Sequence, residues 1–162
     1  MNRQSHNIEP VYNEKSKVLI LGSFPSVKSR EEKFFYAHPQ NRFWKLLAAL
    51  LEKEIPTSTE MKKELLLNSH IALWDVIQSC EIKGSSDMSI TNVSVNDVAG
   101  IIKKSEINAV FCNGSKSYEL YNRYLLDKTG FKATRLPSTS PANAACSFEK
   151  LLNEWRILLD HL

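Results

Sequence analysis

Lys17-Val18-Leu19-Ile20-Leu21-Gly22-Ser23-Phe24-Pro25 decides the architecture. Its first five residues are an unbroken β-favouring run, and Gly22 ends it. An apolar run this short with no polar alternation is the mark of a strand buried on both faces. Three further runs follow. Ile71-Ala72-Leu73-Trp74-Asp75-Val76 predicts a second strand, Ala109-Val110-Phe111-Cys112 a third, and Lys132 to Leu136 a weaker fourth.

Helical patterns separate them. Phe43, Leu46, Leu47, Leu50 and Leu51 fall on one stripe, and Pro56 ends it. Thr57 to Glu60 is a capping-box pattern for a helix running to about Asn68. Ser94 can cap a short helix carrying Val98, Ile101 and Ile102. A helix with Tyr118, Tyr121 and Leu125 closes at Gly130. The last helix shows the clearest stripe, Phe148, Leu151, Leu152, Trp155, Leu158 and Leu159. Strands alternating with helices imply parallel pairing with right-handed crossovers, hence an α/β fold with helices on both faces of a small sheet. Ser26 to Gln40 and Cys80 to Asn92 lack periodicity and are expected as loops.

The totals agree with one domain over residues 1–162, with residues 1–15 expected as a flexible or loosely packed N-terminal segment. A chain of 162 residues can bury a real core, and its 43% apolar share is ordinary. The net charge of +3 permits a polyanionic partner without demanding one. Cys80, Cys112 and Cys146 are far apart and include no C-x-x-C pair, which argues against a disulfide framework or a cysteine metal site. Buried reduced thiols and a cytoplasmic location are the expectation. Met1 to Pro10 lacks a signal-peptide core, and no apolar run approaches the roughly 20 residues of a membrane span.

Gly22, Asp75, Asn113 and Ser138 all fall at carboxyl ends of expected strands, where open α/β sheets bind ligands. The Gly22 to Pro25 turn lets backbone approach a ligand, or is an ordinary turn. It is neither G-x-G-x-x-G nor a P-loop. Asn41 precedes a helix: it is either an N-cap or an amide that holds a water or a base edge. His38 fits loop-fixing hydrogen bonds better than general-base work. Phe34, Phe35 and Tyr36 are core aromatics or a stacking platform for a planar ligand. Lys28, Arg30, Lys33, Arg42 and Lys45 surround them, suiting a nucleic-acid groove or a solvated face. Ser138-Thr139-Ser140-Pro141-Ala142-Asn143 offers hydroxyls and N–H groups that cap a helix or hold negative charge.

Together, Gly22-Ser23-Phe24-Pro25 with His38-Pro39-x-Asn41-x-Phe43-Trp44, and Ser138 to Asn143, resemble the two motifs of the uracil-DNA glycosylase superfamily. The similarity is to its hypoxanthine-DNA (deoxyinosine) glycosylase branch. Leu73-Trp74-Asp75-Val76 and Gly84-Ser85-Ser86-Asp87 look like that branch too, and the resemblance runs from about Lys17 to Trp155. It implies a three-layer α/β/α domain with a four-stranded parallel sheet. It also implies monofunctional hydrolysis of the N-glycosidic bond of a deaminated base in DNA, without metal or cofactor, by a monomer that meets no membrane. The base must first leave the stack.

The resemblance makes Asn41 the catalytic residue. Tyr36 would stack the base and Phe24 would line the pocket. Gly22, Ser23, Pro25, His38, Asp75, Ser138 and Ser140 are the other substrate-binding candidates. Lys28, Arg30, Ala142 and Asn143 are the DNA-contact candidates. Three departures stand out. Phe24 occupies a position where many members have Asn or Asp, Ser138 stands where many have His or Asn, and Ala142 replaces a wedge Leu. Three rivals follow: uracil or mismatch-thymine removal, a noncatalytic damage-binding module, and a nucleotide-binding domain.

Overall fold

Side chains alternate across a strand, so a strand with two buried faces feeds two cores. The computed structural model describes residues 3–162, and its central strand does this. Val18 and Ile20 face one core and Leu19 and Leu21 the other, all with no exposed surface.

The elements follow in chain order. They are β1 (Arg3–Ser5), β2 (Val18–Gly22), α1 (Val27–Glu32), α2 (Phe43–Leu51), α3 (Thr59–Asn68), β3 (Ile71–Asp75), β4 (Ile77–Glu81) and β5 (Thr91–Val95). Then come α4 (Val98–Lys103), β6 (Ala109–Asn113), α5 (Ser115–Tyr124), α6 (Leu126–Thr129), β7 (Ala133–Leu136) and α7 (Phe148–Trp155). The expected four-stranded sheet is present in the order β3-β2-β6-β7, parallel throughout. One face packs against α2, α3 and α7 through Phe43, Leu47, Leu66, Leu151 and Trp155. The other packs against α4 and α5 through Val98, Ile101, Leu120 and Tyr121. That is a three-layer α/β/α sandwich.

Four expectations need correction. Residues 80–92 are not one loop: β4 and β5 form a second, antiparallel sheet in the order β1-β4-β5. Their register slips twice and their outer residues stay exposed, so no clean alternation marks them. Ser94 therefore lies in β5, and Asp97 caps α4 by accepting from the Gly100 N–H at 3.1 Å. Residues 26–40 contain α1, capped by Ser26, whose six residues are too few to show a period.

The N-terminal segment is packed rather than loose. β1 pairs with β4, and Val11 bridges to Leu73. His6, Ile8 and Val11 are all buried. A pair of apolar residues three apart gives too little pattern to recognise, yet both find the core. All three cysteines are free and buried.

Candidate active site

The register places Gly22 beside Asp75 at the end of the β2–β3 pair, and Asn113 beside Leu136 at the end of β6–β7. Four strand ends thus open on one side of the sheet. The chain then locks the first turn: Val76 and Ile77 N–H groups donate to the Gly22 and Ser23 carbonyls at 2.8 and 3.0 Å. The result is a cavity of about 310 Å³ lined by both motif segments.

Its floor holds two buried polar atoms with no hydrogen-bond partner among the described residues. Asp75 is 3% exposed, and its Oδ2 is buried and unbonded, as is the Tyr36 hydroxyl. Gly22 makes room for both. A Cβ there would stand 2.5 Å from Asp75 Oδ1 and 3.1 Å from the Tyr36 hydroxyl. Burial, reinforced by the nearby Asp87 carboxylate, pushes the Asp75 carboxyl up to about 7. Burial and then the Asp75 charge push the Tyr36 phenol well above its usual range, so it stays a hydroxyl. A buried polar atom left unbonded calls for a partner.

Tyr36 forms a wall. One ring face stacks on Phe43 with centroids 4.2 Å apart and planes 22° from parallel. The residue lines the cavity and is only half-buried, leaving ring surface for a planar ligand. Its φ of +50° is a left-handed conformation that the surrounding loop must hold. The Ser29 hydroxyl accepts from the Ala37 N–H, and the Phe35 carbonyl accepts from Trp44 Nε1, both at 3.1 Å. Phe24 is the apolar wall, with His6 edge-on behind it.

The N-cap of α2 is Arg42, which makes no side-chain cap bond. Asn41, the residue before it, has its Oδ1 accept from the Phe43 N–H at 2.9 Å, a bond to the first residue of α2. That bond fixes which end of the amide is which. Nδ2 is left as a donor on the cavity wall, and among the described residues it has no protein acceptor. His38 Nδ1 accepts from the Gln40 N–H at 3.1 Å, so a neutral ring carries its proton on Nε2. That bond is in line with the loop-fixing role.

The second motif is held as a rigid arch. Asn113 binds Thr139 twice, donating to its hydroxyl and accepting from its N–H, each at 3.0 Å. Arg42 donates to the Cys146 and Asn143 carbonyls at 2.5 and 3.0 Å, and its own N–H donates to the Thr139 carbonyl. Trp155 Nε1 donates to the Pro137 carbonyl at 2.9 Å. Gly114, at φ +96°, lets Ser138 pack directly against it. Ser138 and Ser140 line the cavity, each accepting a backbone N–H two residues on.

The outer residues sort differently. Arg30 donates to the Pro25 and Gly84 carbonyls at 3.2 and 2.9 Å and lies over the Phe24 ring. It therefore braces the first turn, where the sequence pointed to a phosphate contact. Asn143 donates to the Ser138 carbonyl at 3.0 Å, so its amide faces the arch. Lys28 stays at the surface beside Glu32, and Ala142 is exposed on the rim. Sequence reasoning missed Ser29, Thr139 and Asp87 as site residues. Asp87 accepts from the Ser23 hydroxyl at 2.7 Å and lines both the cavity and an adjoining groove with Arg135 and Lys150. Its signal was the Gly84-Ser85-Ser86-Asp87 turn, whose partner in the fold no local pattern names.

The model of the "Uracil DNA glycosylase superfamily" matches residues 9–159. A hypoxanthine DNA glycosylase of Methanosarcina acetivorans is 33% identical over 153 residues, covering 93% of this chain and 95% of that protein. One from Methanosarcina barkeri is 33% identical over 137 residues, covering 83% and 85%. A solution NMR structure from Methanosarcina acetivorans, described as a candidate uracil DNA glycosylase, superposes with a TM-score of 0.79. It is 30% identical and covers 96% of this chain and 98% of that one.

Proposed function

The chain belongs to the uracil DNA glycosylase superfamily, and we propose that it is a monofunctional DNA glycosylase releasing hypoxanthine from deoxyinosine, with Asn41 as its catalytic residue. The observation that carries this is the fixed Asn41 amide. Asn41 lines a cavity that also has an aromatic wall, and its Nδ2 donor has no protein acceptor among the described residues.

The chemistry follows from the bond to be broken. Heterolysis of C1′–N9 leaves positive character on the sugar and sends the electron pair to the base. A donor held in place before reaction stabilises that growing negative charge without reorganising. We assign that task to the Asn41 Nδ2 donor, with the His38 ring N–H, also on the cavity wall, as its partner. Water then adds to C1′ and loses a proton, and the departing base takes one up, so the products are the sugar hydroxyl and neutral hypoxanthine. Tyr36 supports the extruded base by stacking, and Phe24 closes the other side. Asp75 and the Tyr36 hydroxyl meet polar atoms of the base. Lys28, Arg135 and Lys150 supply the surface charge for the phosphate backbone.

Two features support hypoxanthine over uracil. The named relatives are hypoxanthine glycosylases. Phe24 and Ser138 also replace polar side chains that many superfamily members carry. The test is base release from labelled DNA carrying one deoxyinosine, with deoxyuridine and deoxyxanthosine duplexes alongside. Hypoxanthine release is expected, with strand breakage only after alkali because no amine nucleophile takes part. Release of uracil alone would move the substrate. Lesion binding with no release from any duplex would reduce the chain to a damage-binding module.

A further inference from the structure

Met88 is the most exposed large apolar side chain among the described residues, at 95%; the next, Ile55, is at 51%. A single apolar residue on a surface is ordinary. The setting of Met88 is not. It sits in a 3-10 helix, Asp87–Ser89, whose backbone is tightly bonded. The Ser89 hydroxyl donates to the Ser86 carbonyl at 2.7 Å and accepts from the Lys83 N–H at 2.8 Å. The Ser85 hydroxyl accepts from the Val27 N–H at 3.0 Å, and Arg30 grips the Gly84 carbonyl. Ile82 and Ile90 are buried on either side, anchoring the turn at both ends. A flexible loop could fold its methionine back onto the surface; this turn holds Met88 out in water.

Its position is the second point. Asp87, the residue before it, lines both the cavity and the adjoining groove, as do Ser140 and Ala142. Met88 is thus the exposed chain neighbour of a residue at the mouth through which a base would enter. Other groups near the opening are shorter or turned away: Val27, 42% exposed beside the lining Ser26, is β-branched and short, Ala142 carries one methyl, and Asn143 is turned onto the arch.

A duplex that has lost a base from its stack presents a gap with apolar base faces above and below. An inserted apolar side chain replaces part of the lost stacking and blocks the base's return. Methionine, unbranched and polarisable, suits an irregular gap between aromatic faces. We propose that Met88 is the apolar wedge that fills the duplex stack when the target base swings into the cavity. This rests on the glycosylase reading above. A single strand has no stack to refill, so the wedge acts on duplex DNA only.

The test pairs two readouts. Single-turnover release of hypoxanthine is measured on a deoxyinosine duplex and on the same strand alone, for the wild type, Met88→Ala and Met88→Leu. Met88→Ala is expected to slow duplex cleavage about 10- to 100-fold, the size of a lost stacking contact. Single-strand cleavage should be unchanged, and Met88→Leu should restore most of the duplex rate. In parallel, peroxide oxidation of Met88 is followed by mass spectrometry, with Met61 as the internal reference. The deoxyinosine duplex should protect Met88 and the single strand should not. Equal slowing on both substrates, no slowing, or no protection by the duplex overturns the wedge. Protection without any base release would keep the wedge and reject the enzymatic reading instead.

Discussion

At the residue scale, Asn41 and Asp75 carry the two sharpest tests of the proposed site. Asn41 is oriented by a structural bond: its Oδ1 accepts from the Phe43 N–H at the start of α2, which leaves Nδ2 without an acceptor among the described residues. Asn41→Ala should therefore cost about 10²–10³ in single-turnover rate, the loss seen when one preorganised donor is removed. Removing this one hydrogen bond at the start of α2 costs only about 1 kcal/mol, so circular dichroism should show an intact fold. Near wild-type release would remove Asn41 from its role. Asp75 yields a prediction about pH. Its carboxyl is raised from the ordinary 3.8 to about 7, chiefly by burial. Between those values the native state keeps a proton that the unfolded chain has lost, so stability falls as pH rises from about 4 to 7. The full shift bounds the effect at about 4 kcal/mol. Asp75→Asn keeps the shape and removes the titration. Its melting temperature should match the wild type near pH 4 and exceed it increasingly toward pH 8. Parallel curves would show that Asp75 ionises freely.

At the element scale, the site depends on holding the second motif against the first. Arg42 does this with two guanidinium bonds and one backbone bond to the arch over residues 139–146. A lysine has one compact charge and cannot span both carbonyls. Arg42→Lys should keep the global melting temperature within a few degrees. Amide hydrogen exchange over 138–146 should quicken, and the single-turnover rate should fall while DNA affinity holds. Unchanged exchange would show that Asn113 and Trp155 suffice to hold the arch. This clamp was hidden in the sequence, where Arg42 is one cation among five. The strands were legible because β2, β3 and β6 are buried on both faces and read as unbroken apolar runs. β4 and β5 were not, because a slipped register and half-exposed residues erase the period of two that marks a strand. Asn41 and the Ser138 to Asn143 segment stood out because polar residues directly follow or precede strong apolar patterns. Asp87 did not, since its meaning comes from Ser23, 64 residues away.

At the scale of the whole molecule, the unexpected feature is how the N-terminal segment supports the cavity from behind. β1 adds an outer strand to β4, and β4 continues directly from the Asp75 turn. His6 accepts from the Ile8 N–H through Nδ1, which leaves Nε2 to donate to the Ile77 carbonyl at 2.8 Å. Its ring lies edge-on to Phe24, the apolar wall of the cavity. Burial holds the His6 imidazolium pKa below its ordinary value, which favours the neutral ring that this bonding needs. Ile8 and Val11, each 5% exposed, complete the core beside Leu73. Burying each such side chain contributes about 1.5–3 kcal/mol, a large share of a small domain's margin. A chain starting at Tyr12 should therefore melt more than 10 °C lower or fail to fold, and not behave as a trimmed tail would. A milder change separates site from stability. His6→Phe keeps the bulk but loses both hydrogen bonds, and leaves the Ile77 carbonyl without its donor. It should lower the melting temperature and also slow base release, because Phe24 loses its backing. A truncated chain with wild-type melting would mean that the segment merely lies on the surface. The burial of three residues spaced across six positions says otherwise.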